Sequence, residues 1–311
     1  MTHRACVVSC LVVTLAAGSA SAQGVLLIPD SDNDRIMAFD PFNGSVIDLN
    51  FITDIGAVGW AFSTPVEAMQ VGSQIWVSDQ IEDRVHRFDF AGGFQGSIGN
   101  AGLDNIRGMG LINNSVYVAN AGTLNGAPGN ALVQYDLNGN FIQNIAMTGS
   151  SHDVEVTAAG DLLVTDSTSD NIERYLPSGT PLGAFENPAS PINFPQQMAF
   201  RSNGNLLVAG FSGTVNAGIY EFDSSGNQLS FWLDNFGCRG VYELGNGRIL
   251  ATFGAGAGGR IVSIDPSNGT FLTILQGGIS PRYINYVEIP APGASVLLVA
   301  FGALGARRRR G

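Results

Sequence analysis

A short hairpin recurs six times along the 311 residues. Each copy is a strand ending in an aromatic or aliphatic residue plus Asp, or once Leu, then a Gly- or Ser-rich turn and a second strand. The copies read AFD-PFNG-SVI, RFD-FAGG-FQG, QYD-LNGN-FIQ, RYL-PSGT-PLG, EFD-SSGN-QLS and SID-PSNG-TFL. Their marker positions, Asp40, Asp89, Asp136, Leu176, Asp223 and Asp265, lie 40 to 49 residues apart. A period in that range means that one small unit is stacked repeatedly, because a single unit cannot bury its own apolar face.

Upstream of every hairpin lies another strand, dense in β-formers: LLIPD at 26–30, IWVSD at 75–79, VYVAN at 116–120, LLVTD at 162–166, LLVAG at 206–210 and ILATF at 249–253. Their nearly unbroken hydrophobicity suits strands covered on both faces. Before five of them comes one more strand and a tight turn, but the N-terminal copy has none. A sixth candidate, RYINYVEI at 282–289, stands alone at the far end. These parts predict an all-β fold, a six-bladed β-propeller of four-stranded antiparallel blades in which the C-terminal strand closes the first blade and removes the open sheet edges. Loop length varies only at 53–65, 121–130, 186–195 and 254–259, in two classes of connection that project from one face, which marks that face as the functional surface.

The two ends read differently from the body. Residues 1–22 have the parts of an export signal: His3 and Arg4, an apolar stretch from Val7 to Ala17, and Ala20-Ser21-Ala22 before Gln23. In 290–311, Pro290-Ala291-Pro292-Gly293 precedes the apolar run Ala294–Ala306 and then Arg307, Arg308, Arg309 and Arg310. Thirteen apolar residues span only about 20 Å as a helix, which suits a transient anchor with a basic stop. This order of parts resembles the PEP-CTERM sorting tails of Gram-negative bacteria, with Ala291 where that pattern has Glu. The resemblance implies export across the inner membrane by way of a signal peptidase, brief anchoring, cleavage by an exosortase-like enzyme, and a cell-surface or extracellular destination.

The body, 23–289, holds ten arginines, no lysine and all 26 acidic residues, a net charge of −16. Such a body is a poor partner for nucleic acid. Cys238 is its one cysteine, so no internal disulfide forms and packing alone must hold a monomer together.

The segment VTAAGDLLVTDSTSDNIERYLPSGTPLGAF resembles the strand pattern of NHL-repeat propellers, a superfamily that also contains gluconolactonase-like and virginiamycin-lyase-like enzymes. The resemblance spans Val25 to Ile289 and implies shape more than chemistry. In gluconolactonase-like relatives, acidic and amide side chains at the channel hold a divalent cation, for which Glu67 and Asp153 are the counterparts here. The virginiamycin-lyase-like alternative requires a His base, and His152 is the one available. Starts of the innermost strands place Glu67, Arg107, His152 with Asp153, Gln197, Arg239 and Arg282 or Tyr283 around the channel mouth. Arg107 and Arg239 oppose a cation there and are expected either to pair with Glu67 and Asp153 in a structural ion network or, if free, to suit a carboxylated small molecule or acidic sugar. Trp60, in a long loop beside Phe62, is a candidate for stacking on a sugar ring, whereas Trp76 and Trp232 read as core. Asp30-Ser31-Asp32-Asn33-Asp34 has calcium-like spacing, but its turn recurs at Asp79–Asp83 and Asp166–Asp170, so its carboxylates are expected to cap backbone N–H groups. With only His86 and His152 in the body, a His-rich zinc site is not expected. The favoured reading is a binding module for an extracellular polysaccharide or envelope component, with no cofactor and no catalysis. The alternative is a metal-assisted hydrolase or lyase.

Overall fold

The computed structural model describes residues 23–99, 101–186, 192–212, 215–233 and 237–290. The expected export signal at 1–22, and the expected sorting tail after Pro290, lie outside the described residues. Six four-stranded sheets are present. The first joins the C-terminal strand Asn285–Ile289 to Gln23–Asp30, Arg35–Phe39 and Val46–Thr53, and the other five each use four consecutive strands. The ring therefore closes as the orphan strand predicts. Innermost strands of neighbouring blades touch one another around the axis: Pro65–Val71, Ile106–Ile112, Ser151–Val156, Pro195–Phe200 and Cys238–Glu243 in blades 2 to 6.

Hydrophobicity explains the layering. Second strands such as Leu162–Asp166 and Ile249–Phe253 are buried throughout, whereas the outermost strands Pro181–Ala184 and Phe271–Gln276 are mostly exposed. The core is a set of layers between blades; Trp76 and Val85, for example, pack against Met109 and Val118 of the next blade. Trp76 is fully buried, while Trp232 is only half-buried at the edge of its layer.

The repeated Asp has a physical role. Asp40 Oδ1 accepts the amides of Phe42 and Asn43, both at 2.9 Å, and Asp136 Oδ1 accepts those of Asn138 and Asn140 at 2.9 and 2.8 Å. Asp89, Asp223 and Asp265 cap their own turns in the same way. Side-chain bonds from Asn140, Asn227 and Ser267, joined by these amide bonds, hold Asp136, Asp223 and Asp265 below the usual carboxylate range. At the ends of the second strands, Asp30 accepts Ser280 N at 2.8 Å, and Asp79 accepts Ser63 N and Thr64 N at 2.8 and 3.0 Å. Each thereby pins the loop entering its own blade, so the run Asp30–Asp34 is a blade turn.

Antiparallel order sends the long loops to the face where the innermost strands begin. Gly24 and Glu288 lie near strand ends on the opposite, short-turn face. At Leu176 the fourth-blade turn has no carboxylate cap: its backbone bonds are Leu176 N to Thr180 O at 2.9 Å and Gly179 N to Leu176 O at 2.8 Å, with Ser178 Oγ and Thr180 Oγ1 bonded to each other at 3.2 Å. Leu176→Asp should restore the missing cap and raise Tm by about 2 °C in a thermal melt at neutral pH. An unchanged or lower Tm would show that the capping account of the repeat is wrong.

Candidate functional site

The register places equivalent residues of the six innermost strands at matching depths. Pro65, Ile106, Ser151, Pro195, Cys238 and Pro281 each face the last residue of their blade's second strand. One residue further come Val66, Arg107, His152, Gln196, Arg239 and Arg282. The next level holds Glu67, Gly108, Asp153, Gln197, Gly240 and Tyr283. In blades 2 to 6 the register shifts just here, a bulge that re-aims side chains as the chain passes from mouth to interior.

The deeper level is a hydrogen-bonded plug. Glu67 accepts the Met109 amide with one oxygen and Asn285 Nδ2 with the other, at 2.7 Å for the latter. Asp153 Oδ2 accepts Met198 N at 2.7 Å. Gln197 Oε1 accepts Val241 N and Ile284 N at 3.0 and 2.9 Å while its Nε2 donates to Ile284 O at 2.8 Å. Glu67, Asp153 and Gln197 thereby satisfy amides of the next blade's innermost strand, and Gln197 reaches Ile284 of blade 1 as well. Tyr283, 1% exposed, crosses the channel from blade 1 to donate to His152 O of blade 4 at 3.2 Å. Gly108 and Gly240 make room: a Cβ on Gly108 would lie 2.5 Å from His152 O, and one on Gly240 2.5 Å from Arg282 O.

This arrangement corrects three expectations. Glu67, Asp153 and Gln197 lie beneath the mouth, not around it. Arg282 and Tyr283 both face the channel, at different levels. The expected ion network is absent: among the described residues neither Arg107 nor Arg239 pairs with a carboxylate. Both oxygens of Glu67 and one of Asp153 already accept hydrogen bonds. No three His, Cys, Asp or Glu among the described residues are grouped to bind a metal.

At the mouth itself, none of three guanidiniums forms an ion pair with a carboxylate among the described residues. Arg107 donates to Ser150 Oγ at 2.7 Å and Ser151 O at 3.0 Å, and Arg282 to Ser31 Oγ at 2.8 Å, all neutral acceptors. Arg239 lies 4.2 Å above the centre of the Phe211 ring. Burial and then the neighbouring Arg282 depress Arg239 to about 9. Asp32, Asp30 and Asp79 act on Arg282 only from beyond ion-pair range. His152 is 7% exposed, and its Nε2 has no partner among the described residues. Burial first, then Arg107, Arg239 and Arg282, hold its imidazole well below the usual range, so it is neutral at pH 7.

The wall beside His152 is aromatic, which the sequence reading missed. Phe194 packs edge-on to His152 at 5.0 Å and stands 5.8 Å from Phe211. It adopts φ +52° with its amide bonded to Asp170 Oδ1 at 2.8 Å. The matching residue of blade 3 is Asn105, at φ +53° with its amide on Asp83 Oδ1 at 2.7 Å. Asn tolerates this left-handed conformation, whereas a bulky residue loses roughly 1–2 kcal/mol in it. Trp60, expected at the mouth, is committed elsewhere: it stacks on Phe94 at 5.2 Å and meets Phe62 and Phe88 edge-on. His86 joins that cluster, buried, with its Nδ1 on Ser97 Oγ at 2.8 Å. Cys238 is fully buried in the layer containing Val241 and Phe253.

A groove of about 600 Å³ on the short-turn face, lined by Phe42, Tyr242 and Tyr286, also contains Arg201. There the guanidinium is taken by Glu221 at 2.8 Å and Glu243 at 2.7 Å. Arg201 thus differs from the three mouth arginines in having carboxylate partners.

Fold and site together define a six-bladed β-propeller with a sealed channel and a cationic, aromatic-walled mouth. Neither a family model nor a curated protein matches the sequence. Solved structures do share the fold. One is a protein of unknown function from Bacteroides caccae, 15% identical over 85% of this chain and 99% of that one, TM-score 0.60. Another is catalytically inactive virginiamycin B lyase from Staphylococcus aureus with quinupristin, 12% identical over 90% and 95%, TM-score 0.59. A third is the nidogen/laminin complex, 12% identical over 85% and 98%, TM-score 0.63. At these identities the likeness establishes architecture alone.

Two measurements test the plug. Gly108→Ala should lower stability by about 1–3 kcal/mol, read by denaturant melts, because the added methyl has no space. Asp153 is raised by burial to about 7. The folded carboxyl thus keeps its proton while the unfolded one ionises near 3.8, and its stabilising contribution, complete below that value, is lost as pH rises through about 7. Glu67 and Glu155 shift in the same direction, the latter to about 8. The buried histidines act oppositely below about pH 6.5, so the informative quantity is a difference between proteins. The Tm of Asp153→Asn relative to wild type should rise between about pH 5 and about pH 8. A constant difference would mean that Asp153 is ionised throughout.

Proposed function

We propose that the protein is an exported binding module that captures a carboxylate-bearing ligand, such as an acidic sugar of an extracellular polysaccharide or envelope component, at its channel mouth without transforming it. The observation that carries this reading is the trio Arg107, Arg239 and Arg282, which converge around a neutral His152 with no carboxylate partner among the described residues. Partly desolvated guanidiniums bind carboxylates strongly, because little water competes and the geometry favours paired N–H···O bonds. The mouth also lies on the long-loop face. Export by 1–22 and sorting through 290–311 belong to the same proposal; a mature chain still ending in Arg307–Gly311 by mass spectrometry counts against the sorting step.

Binding of polygalacturonate to the full chain, followed by calorimetry, tests the site. Replacing Arg239 and Arg282 together by Ala should weaken it at least tenfold, on the order of 1.4 kcal/mol or more. Affinity should also fall as salt rises. Unchanged binding in the double variant overturns the assignment. A second reading rests on His152, whose neutral ring with a free Nε2 has the form of a general base, in a fold shared with virginiamycin B lyase. It requires conversion of quinupristin to a new product on incubation with the protein, read as a change in chromatographic retention because elimination within a ring leaves the mass unchanged, and loss of that conversion in His152→Ala.

A further inference from the structure

We propose that the ligand of the mouth carries a ring beside its carboxylate, and that Phe194 with Phe211 forms the platform on which that ring lies. The inference rests on the carboxylate reading of the mouth and adds what the anionic group is attached to. Three observations point to it. First, Arg239, Phe211, Phe194 and His152 form one continuous row, with contacts of 4.2, 5.8 and 5.0 Å. Both phenylalanines remain half-exposed at the mouth. Second, the row puts an apolar face directly beside guanidinium charge, so a ring and a carboxylate on adjacent atoms meet complementary surfaces together. Third, Phe194 holds φ +52° where the equivalent position of blade 3 uses Asn105. The carboxylate clamps that fix the two backbones, Asp170 and Asp83, are alike. The scaffold thus has a side chain that fits this conformation without strain, yet here a strained aromatic occupies it, set between His152 and the Phe211 that carries Arg239.

Two kinds of ring satisfy this chemistry, a flat aromatic ring and the C–H face of a sugar, and small probes separate them. Calorimetric titration of the full chain with acetate, benzoate and D-glucuronate should show at least one ring carboxylate binding tenfold or more tightly than acetate. Benzoate leading indicates an aromatic ligand; glucuronate leading indicates a uronic acid. In Phe194→Asn the preference for the ring over acetate should collapse to within about twofold. The Tm of that variant should equal or exceed the wild-type value, since Asn relieves the strained backbone and retains the Asp170 bond. Acetate binding as tightly as both ring carboxylates, or a ring preference that survives Phe194→Asn, overturns the platform while leaving the carboxylate site standing. If none of the three carboxylates binds, the carboxylate reading itself falls and the platform with it.

Discussion

Each blade offers the free edge of its innermost strand to the axis, and those backbone groups are cut off from water. Unsatisfied, every such amide would cost about 1–3 kcal/mol. Glu67, Asp153 and Gln197 remove that cost by accepting amides of Met109, Met198, Val241 and Ile284 from neighbouring blades. The same bonds tie blade to blade, so the ring does not depend on the apolar layers alone. Gly108 and Gly240 are the steric complement, because the channel is too narrow for six side chains at one level.

The electrostatics of the mouth follow from this arrangement. Carboxylates that serve the backbone cannot also neutralise arginines one level above, and burial keeps them inclined to hold their protons. Arg107, Arg239 and Arg282 are consequently left uncompensated within a body whose net charge is −16. Overall charge repels anions at long range, whereas the local field of the three guanidiniums is positive. His152 shares that field and is driven neutral by it.

Much of the scaffold was legible in the amino-acid order. Strand patterns such as LLVTD and ILATF match the observed strands residue for residue, because burial between blades demands near-continuous apolar character. The orphan strand near Ile289 announced ring closure, and the repeated Asp announced its own turn. Depth was not legible. His152 and Asp153 are adjacent in sequence yet belong to different levels with different chemistry, since a register shift separates them from ordinary alternation. Trp60 looked available because its loop is long, but its partners Phe88 and Phe94 are brought to it only by the folded second blade. Phe194 gave a faint signal, an aromatic immediately before Pro195 in a loop of variable length, and its left-handed backbone became visible only beside Asn105.

The sequence by itself determined six blades, their closure by the C-terminal strand, and the face that bears the long loops, because period, polarity pattern and loop length are local properties of the chain. Tertiary structure alone decided which polar side chains seal the channel and which remain free to bind. That choice depends on which amide of a neighbouring blade, more than 40 residues away, lies within hydrogen-bonding reach of each carboxylate.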